Sequence, residues 1–177
     1  MKKEILMSKK RIEDYVNEVL TGDAQENARS FISHLQESDM SIERFTYHGE
    51  DMLHWEITFQ EDLVCYILLD AETSGWTIMP DSSSTERFAD FPADDEIKAI
   101  AWENVNICHD ENRCGSCKNG RGTRIKIFGK EFDDVCGMAY NFTNPDDAAV
   151  KLAKKMMDVR KEDIHITVSF PFPSGET

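Results

Sequence analysis

Leu53-His54-Trp55-Glu56-Ile57-Thr58-Phe59, then Gln60-Glu61-Asp62, then Leu63-Val64-Cys65-Tyr66-Ile67-Leu68-Leu69, is the stretch on which the fold turns. Its first part alternates: Leu53, Trp55, Ile57 and Phe59 fall on one side, Met52, His54, Glu56 and Thr58 on the other. That period of two marks a half-buried strand. Residues 63–69 are continuously apolar, as a central strand is. Gly49-Glu50-Asp51 and Gln60-Glu61-Asp62 supply turns, and Thr73-Ser74-Gly75 supplies another before residues 76–79. Together these predict an antiparallel meander of about four strands. Cys65, inside the central strand, reads as a small buried apolar side chain.

Upstream the spacing is helical. Ser8 caps a helix with Ile12, Tyr15, Val16, Val19 and Leu20 on one face. Gly22 ends it, and Asp23 with Glu26 opens a second helix whose stripe is Ala24, Ala28, Phe31, Ile32 and Leu35. Downstream, residues 80–93 carry Pro80, three serines and Pro92, an irregular connection. Asp94 or Asp95 caps a short helix bearing Ile97, Ile100, Ala101 and Val105, which delivers the chain to Cys108. Residues 123–128 alternate as a strand, Gly129-Lys130 turns, and residues 131–136 return. Asn144 caps a further helix with Pro145 at its first position and Asp146 and Asp147 in its first turn. That helix is expected to end near Arg160 and Lys161, with residues 164–170 as a last strand. The fold class is α+β: N-terminal helices, an antiparallel β-meander, then a four-cysteine metal-pinned segment packed by a C-terminal helix. Residues 1–107 form the helices and sheet; residues 108–177 form the metal-binding segment with its helix and strand, as one continuous domain or two adjoining lobes.

The 177 residues carry a net charge of −14, unevenly spread. Residues 37–111 hold three basic and nineteen acidic side chains, whereas residues 112–130 hold six basic and none acidic. The acidic bulk argues against extended nucleic-acid binding and against anionic membrane surfaces. Residues 1–7 are basic but contain an apolar run of only three, short of the ~7–15 of a secretory signal. No stretch approaches the ~20 apolar residues of a membrane-spanning helix. The expected location is the cytoplasm, where clustered thiols bind metal or do redox work more often than they form structural disulfides.

Four of the five cysteines, Cys108, Cys114, Cys117 and Cys136, lie within that second half. Cys114-Gly115-Ser116-Cys117 is a tight pair followed by Lys118-Asn119-Gly120. A Cys-x-x-Cys turn offers two thiolates to one metal, its amides can point at the sulfurs, and the glycine beyond lets the chain fold back. Locally this resembles the knuckle of zinc ribbons, over residues 108–136 only; ribbons supply their other two ligands as a second Cys-x-x-Cys, whereas Cys108 and Cys136 are single. The reading is a structural zinc held by Cys108, Cys114, Cys117 and Cys136, with His109 able to replace Cys108. Iron would accept the same thiolates, but the spacing matches no common iron–sulfur signature. A thiol-redox pair at Cys114 and Cys117 competes, although Lys-Asn-Gly-Arg-Gly after Cys117 does not continue as the helix such pairs use.

The basic residues coincide with the cysteines. Arg113 and Lys118 flank the knuckle and would offset thiolate charge. Together with Arg121 and Arg124 they could also face an anionic ligand, a partner or the acidic half of the chain. Gly120-Arg121-Gly122 is too short for a phosphate cradle, and no Walker, Gly-x-Gly-x-x-Gly, His-Glu-x-x-His or Gly-x-Ser-x-Gly pattern occurs. His54 and Glu56 share a strand face and could act as an acid/base pair, but an exposed polar face explains them as well. Trp55, Trp76 and Trp102 could line a pocket; core burial is the simpler account. The expected function is a non-enzymatic binding or adaptor module with structural zinc, its partner an unknown protein or small ligand. The alternatives are a thiol-redox or acid/base enzyme, or a metal or redox sensor.

Overall fold

In chain order the protein runs α1 (Ile12–Val19), α2 (Gly22–Glu37), β1 (Ser41–Phe45), β2 (Leu53–Phe59), β3 (Asp62–Asp70), β4 (Gly75–Pro80), a 3₁₀ segment (Ser82–Phe88), α3 (Asp95–Glu103), β5 (Val105–Ile107), β6 (Thr123–Ile127), β7 (Lys130–Tyr140), β8 (Phe142–Thr143) and α4 (Asp147–Ser169). The computed structural model describes residues 10–45, 53–89, 92–108 and 122–169. All strand pairings are antiparallel, in a five-stranded sheet of order β1-β2-β3-β4-β8 and a three-stranded sheet of order β5-β7-β6. The fold is therefore α+β, as the alternating and helical stretches require. No helix among the described residues is long and apolar enough to cross a membrane.

The register carries the alternation of residues 53–59 across the large sheet. Trp55 pairs with Ile67, and Ile67 with Ile78. Strand pleating therefore puts Trp55, Ile57, Cys65, Ile67, Leu69, Trp76 and Ile78 on one face, all buried. Against that face lie Ala28, Phe31, Ile32 and Leu35 of α2 and the apolar stripe of α4; Phe31 meets Trp76 at 6.3 Å between ring centroids. Each such large side chain contributes about 1.5–3 kcal/mol by leaving water. Asn141 alone separates β7 from β8, so one strand run serves both sheets, and Tyr140 stacks on Phe142 at that seam, 5.7 Å apart and 9° between planes.

Several local devices differ from the sequence expectation. Ser8 lies outside the described residues; α1 begins at Ile12, with the Asp14 carboxylate accepting from the Arg11 N–H at 3.0 Å. Gly22 opens α2, its φ of 57° turning the chain between the helices. Asp94 does cap α3, accepting from the Ile97 N–H at 2.9 Å, but Val105 belongs to β5, because α3 stops at Glu103. Within residues 80–93 the chain forms the 3₁₀ segment, whose end is tied to the β6–β7 turn: Phe128 and Gly129 donate to the carbonyls of Phe88 and Ala89, each at 2.9 Å. Asn144 does not cap α4. It accepts from the Trp76 N–H at 2.9 Å and returns its own N–H to the Trp76 carbonyl at 2.7 Å, while Asp146 supplies the cap to Ala149.

The expected last strand over residues 164–170 is absent: α4 continues to Ser169. Arg160 and Lys161, read as helix-ending cations, instead donate to carbonyls outside the helix, Leu63 at 3.0 Å and Ser38 at 2.6 Å. Beyond them Ile164 prolongs the buried stripe of Ala153, Met156, Met157 and Val159 at helical spacing. Glu162 and Asp163 pair with Arg87 of the 3₁₀ segment, at 3.3 and 2.6 Å. Tertiary contacts thus override the strand preference of the β-branched residues there.

Arg160 also meets Asp81 at 3.3 Å, with side chains only 16% and 14% exposed. Removing one partner of such a pair leaves a charge buried alone, so Arg160→Met should lower the unfolding free energy by about 3 kcal/mol, measured by urea denaturation. The β2–β3 turn offers a gain instead. Gln60 and Glu61 both hold positive φ, 51° and 71°. Glu61→Gly should therefore raise stability by about 1 kcal/mol in the same assay, because glycine adopts that conformation without steric cost.

Candidate metal centre

The small sheet gathers the two single cysteines. β5 ends at Ile107, which pairs with Val135 of β7, and Cys108 then donates its N–H to the Asp134 carbonyl at 2.7 Å. On the other edge of β7, Thr123 of β6 also pairs with Val135. The chain thus leaves one side of β7 and resumes on the other, both at Val135. Asp134 holds φ 58°, and the register shifts on either side accompany this bulged conformation.

Cys136 follows Val135 as Cys108 follows Ile107. Each cysteine therefore sits one residue beyond the paired Ile107 and Val135. Both are half-buried and unpaired by disulfide, so both thiols are available as ligands. Cys114 and Cys117 lie outside the described residues, as do His109, Arg113, Lys118 and Arg121. Among the described residues no three of His, Cys, Asp and Glu converge to hold a metal. Of the expected ligands, the described residues thus include Cys108 and Cys136, beside the Ile107–Val135 pair.

Gly122 has a steric role that its Gly-Arg-Gly context hides. A Cβ there would stand 2.1 Å from the Val135 carbonyl oxygen and 2.6 Å from the Asp134 carbonyl carbon. Backbone meets backbone at that point, and only glycine fits. No one-residue sequence signal distinguishes this glycine from a turn glycine, because the constraint comes from a strand that follows it.

The other candidates resolve individually. Arg124 pairs with Asp133 across the β6–β7 hairpin at 2.5 Å, so its charge is already answered within the chain. Lys130 lies over the rings of Trp102 and Phe132, at 5.2 and 4.8 Å. Cys65 is fully buried, and that burial pushes its thiol pKa far up, as expected of a core side chain. His54 is buried and meets Phe45 edge-on at 5.7 Å, while Glu56 faces Glu43 on one side and Tyr66 on the other. Partial burial, then the charges of Glu56 and Asp81, raise the Tyr66 pKa. Trp55 and Trp76 are core residues, and the half-buried Trp102 donates its indole N–H to the Ile127 carbonyl at 2.9 Å.

No protein-family model matches the chain, and no curated protein and no solved structure matches it. The centre must be judged on its own geometry. Gly122→Ala forces β6 away from β7 and should cost about 2 kcal/mol or more of stability, whereas Gly137→Ala, which meets nothing within 4 Å, should cost far less. Paired thermal melts of the two variants check this.

Proposed function

We propose that the chain is a small non-enzymatic binding module whose segment 108–136 is closed by one structural zinc on Cys108, Cys114, Cys117 and Cys136. The observation that carries this reading is that Ile107 and Thr123, which bound the segment 108–122 bearing Cys114 and Cys117, both pair with Val135, directly before Cys136. A segment fastened at those two points would need only to fold back to offer its two further thiols to the same metal. The zinc-ribbon likeness of the knuckle points the same way. A site with four thiolates is closed, so bound zinc would supply folding free energy, on the order of 10 kcal/mol, and no activated water. Cys108 and Cys136 would fix the metal to the sheet, and Cys114 and Cys117 would fix the segment to the metal.

Such a module acts through its surface. With Arg124 engaged by Asp133, the cations left to face an anionic patch of a protein or small ligand are Arg113, Lys118 and Arg121, which flank the knuckle. The cytoplasm, with its reduced thiols, is the compartment this reading requires.

Elemental mass spectrometry on untagged protein, combined with thiol counting before and after denaturation, tests it. The expected result is one zinc per chain, with the four clustered thiols of the five cysteines shielded until unfolding. Cys136→Ser should lose the metal and melt at lower temperature; Cys65→Ser should keep the metal. Metal-free protein with Cys114 and Cys117 reactive or joined would transfer the assignment to thiol-redox chemistry. Full metal content in Cys136→Ser would strike that residue from the ligand set.

A further inference from the structure

Between α1, the end of α2 and strands β1 and β2 lies a cleft of about 690 Å³, within the ~300–1,000 Å³ of small-molecule sites. Tyr15 and Trp55 meet edge-on within it, ring centroids 5.4 Å apart. Two cations converge on the Tyr15 ring: Lys10 Nζ stands 4.6 Å from its centroid and the Arg44 guanidinium carbon 5.0 Å. Arg44 also donates to the Tyr15 hydroxyl at 2.6 Å. Its backbone pairs with Trp55 in the sheet, so this guanidinium is held on a strand, by a ring and a hydrogen bond, and not on a loop.

Of the other charged groups that line the cleft, Lys10, Arg11 and Glu13 are paired, while the exposed Glu43 carboxylate points a single negative charge at its rim. Lys10 pairs with Glu18, and Arg11 with Glu13, whose carboxylate also accepts from Gln36 at 2.7 Å. Arg44 has no carboxylate partner among the described residues. This is unusual for its surroundings. Residues 37–111 contain only three cations against nineteen acidic side chains. The other two, Arg87 and Lys98, are both paired with carboxylates. A guanidinium has five N–H donors in a rigid fork, and the phenol takes one. Free donors beside a second cation in a ligand-sized cleft suit an oxyanion held by two parallel hydrogen bonds.

We propose that this cleft binds a small organic anion, a carboxylate or a phosphate monoester, through the fork of Arg44 with Lys10 beside it. The site is independent of the metal centre and stands or falls separately.

Titration of the full chain with benzoate and with phenyl phosphate, followed by amide and side-chain ¹H–¹⁵N NMR, tests this. Saturable shifts at the Arg44 Nε–H and the Trp55 indole are expected with at least one probe. Saturation by phenyl phosphate alone identifies a phosphate monoester as the ligand, and by benzoate alone a carboxylate. Arg44→Gln should weaken binding about tenfold or more, the scale of a charge-assisted bidentate contact. Arg124→Gln, which removes an exposed arginine far along the chain, should leave it unchanged. Should Arg44→Gln fail to fold, Arg44→Lys replaces it: it keeps the charge and loses the fork, and should bind measurably more weakly than the wild type. The proposal is overturned if neither probe saturates, if the Arg44 variants bind as the wild type does, or if Arg124→Gln weakens binding equally.

Discussion

One ion pair, Arg160 with Asp81, ties the longest helix to the large sheet where strand β4 ends. Its two charges are largely out of water, which is tolerable only because each has further hydrogen bonds. Arg160 reaches the Leu63 carbonyl, and Asp81 accepts from the Ser83 N–H at 3.0 Å. The contact therefore fixes three things together: the depth of α4 on the sheet, the start of β3 and the start of the 3₁₀ segment. From there Arg87 reaches back to α4, and Phe88 and Ala89 reach forward to the β6–β7 turn. This chain of contacts is a second tie to the small sheet, beside the β7–β8 run that the two sheets share.

Charge is arranged by proximity more than by block. The basic stretch 112–130 looks like a surface feature in the sequence, yet Arg124 is spent on Asp133 and Lys130 lies on aromatic rings. Exposed pairs of this kind add little stability. Their effect is to lower the field that a distant anion would meet. The acidic block behaves in the opposite way: its few cations are nearly all claimed, which makes the exception at Arg44 conspicuous.

What could be read from sequence was what local period determines. Residues 53–59 and 63–69 gave their strands, Asp94 its cap and the apolar spacing around Ala28 and Phe31 its helix. Failures came where a residue answers to a distant partner. Asn144 has the chemistry of a helix cap but bonds to Trp76 of a strand sixty-eight positions earlier. The β-branched run near Ile164 has strand propensity but completes a helix, in which Ile164 prolongs the buried stripe of α4 while Ile166 stays exposed. Phe128 holds φ 46° in a turn where asparagine or glycine would be expected, kept there by its bond to the Phe88 carbonyl. At the candidate metal centre the sequence supplied ligand types and spacing; the nearness of Cys108 to Cys136 follows from a register no local pattern encodes. Arg44 carries no local signal of its own, because its place beside Tyr15 follows from the pairing of β1 with β2.

The order of strands in the small sheet governs when the protein can fold. Its middle strand, β7, is the last of the three in the chain, so β5 and β6 leave the ribosome with the place between them empty. Neither can pair until β7 enters, and the large sheet gains its edge strand β8 just behind it. Helices α1 and α2 and the β2–β3 hairpin can form early from local contacts, whereas β5 has no strand partner until β7 is made. Three of the clustered thiols are therefore synthesised before the strand that carries the fourth, and they stay without their framework for as long as that takes.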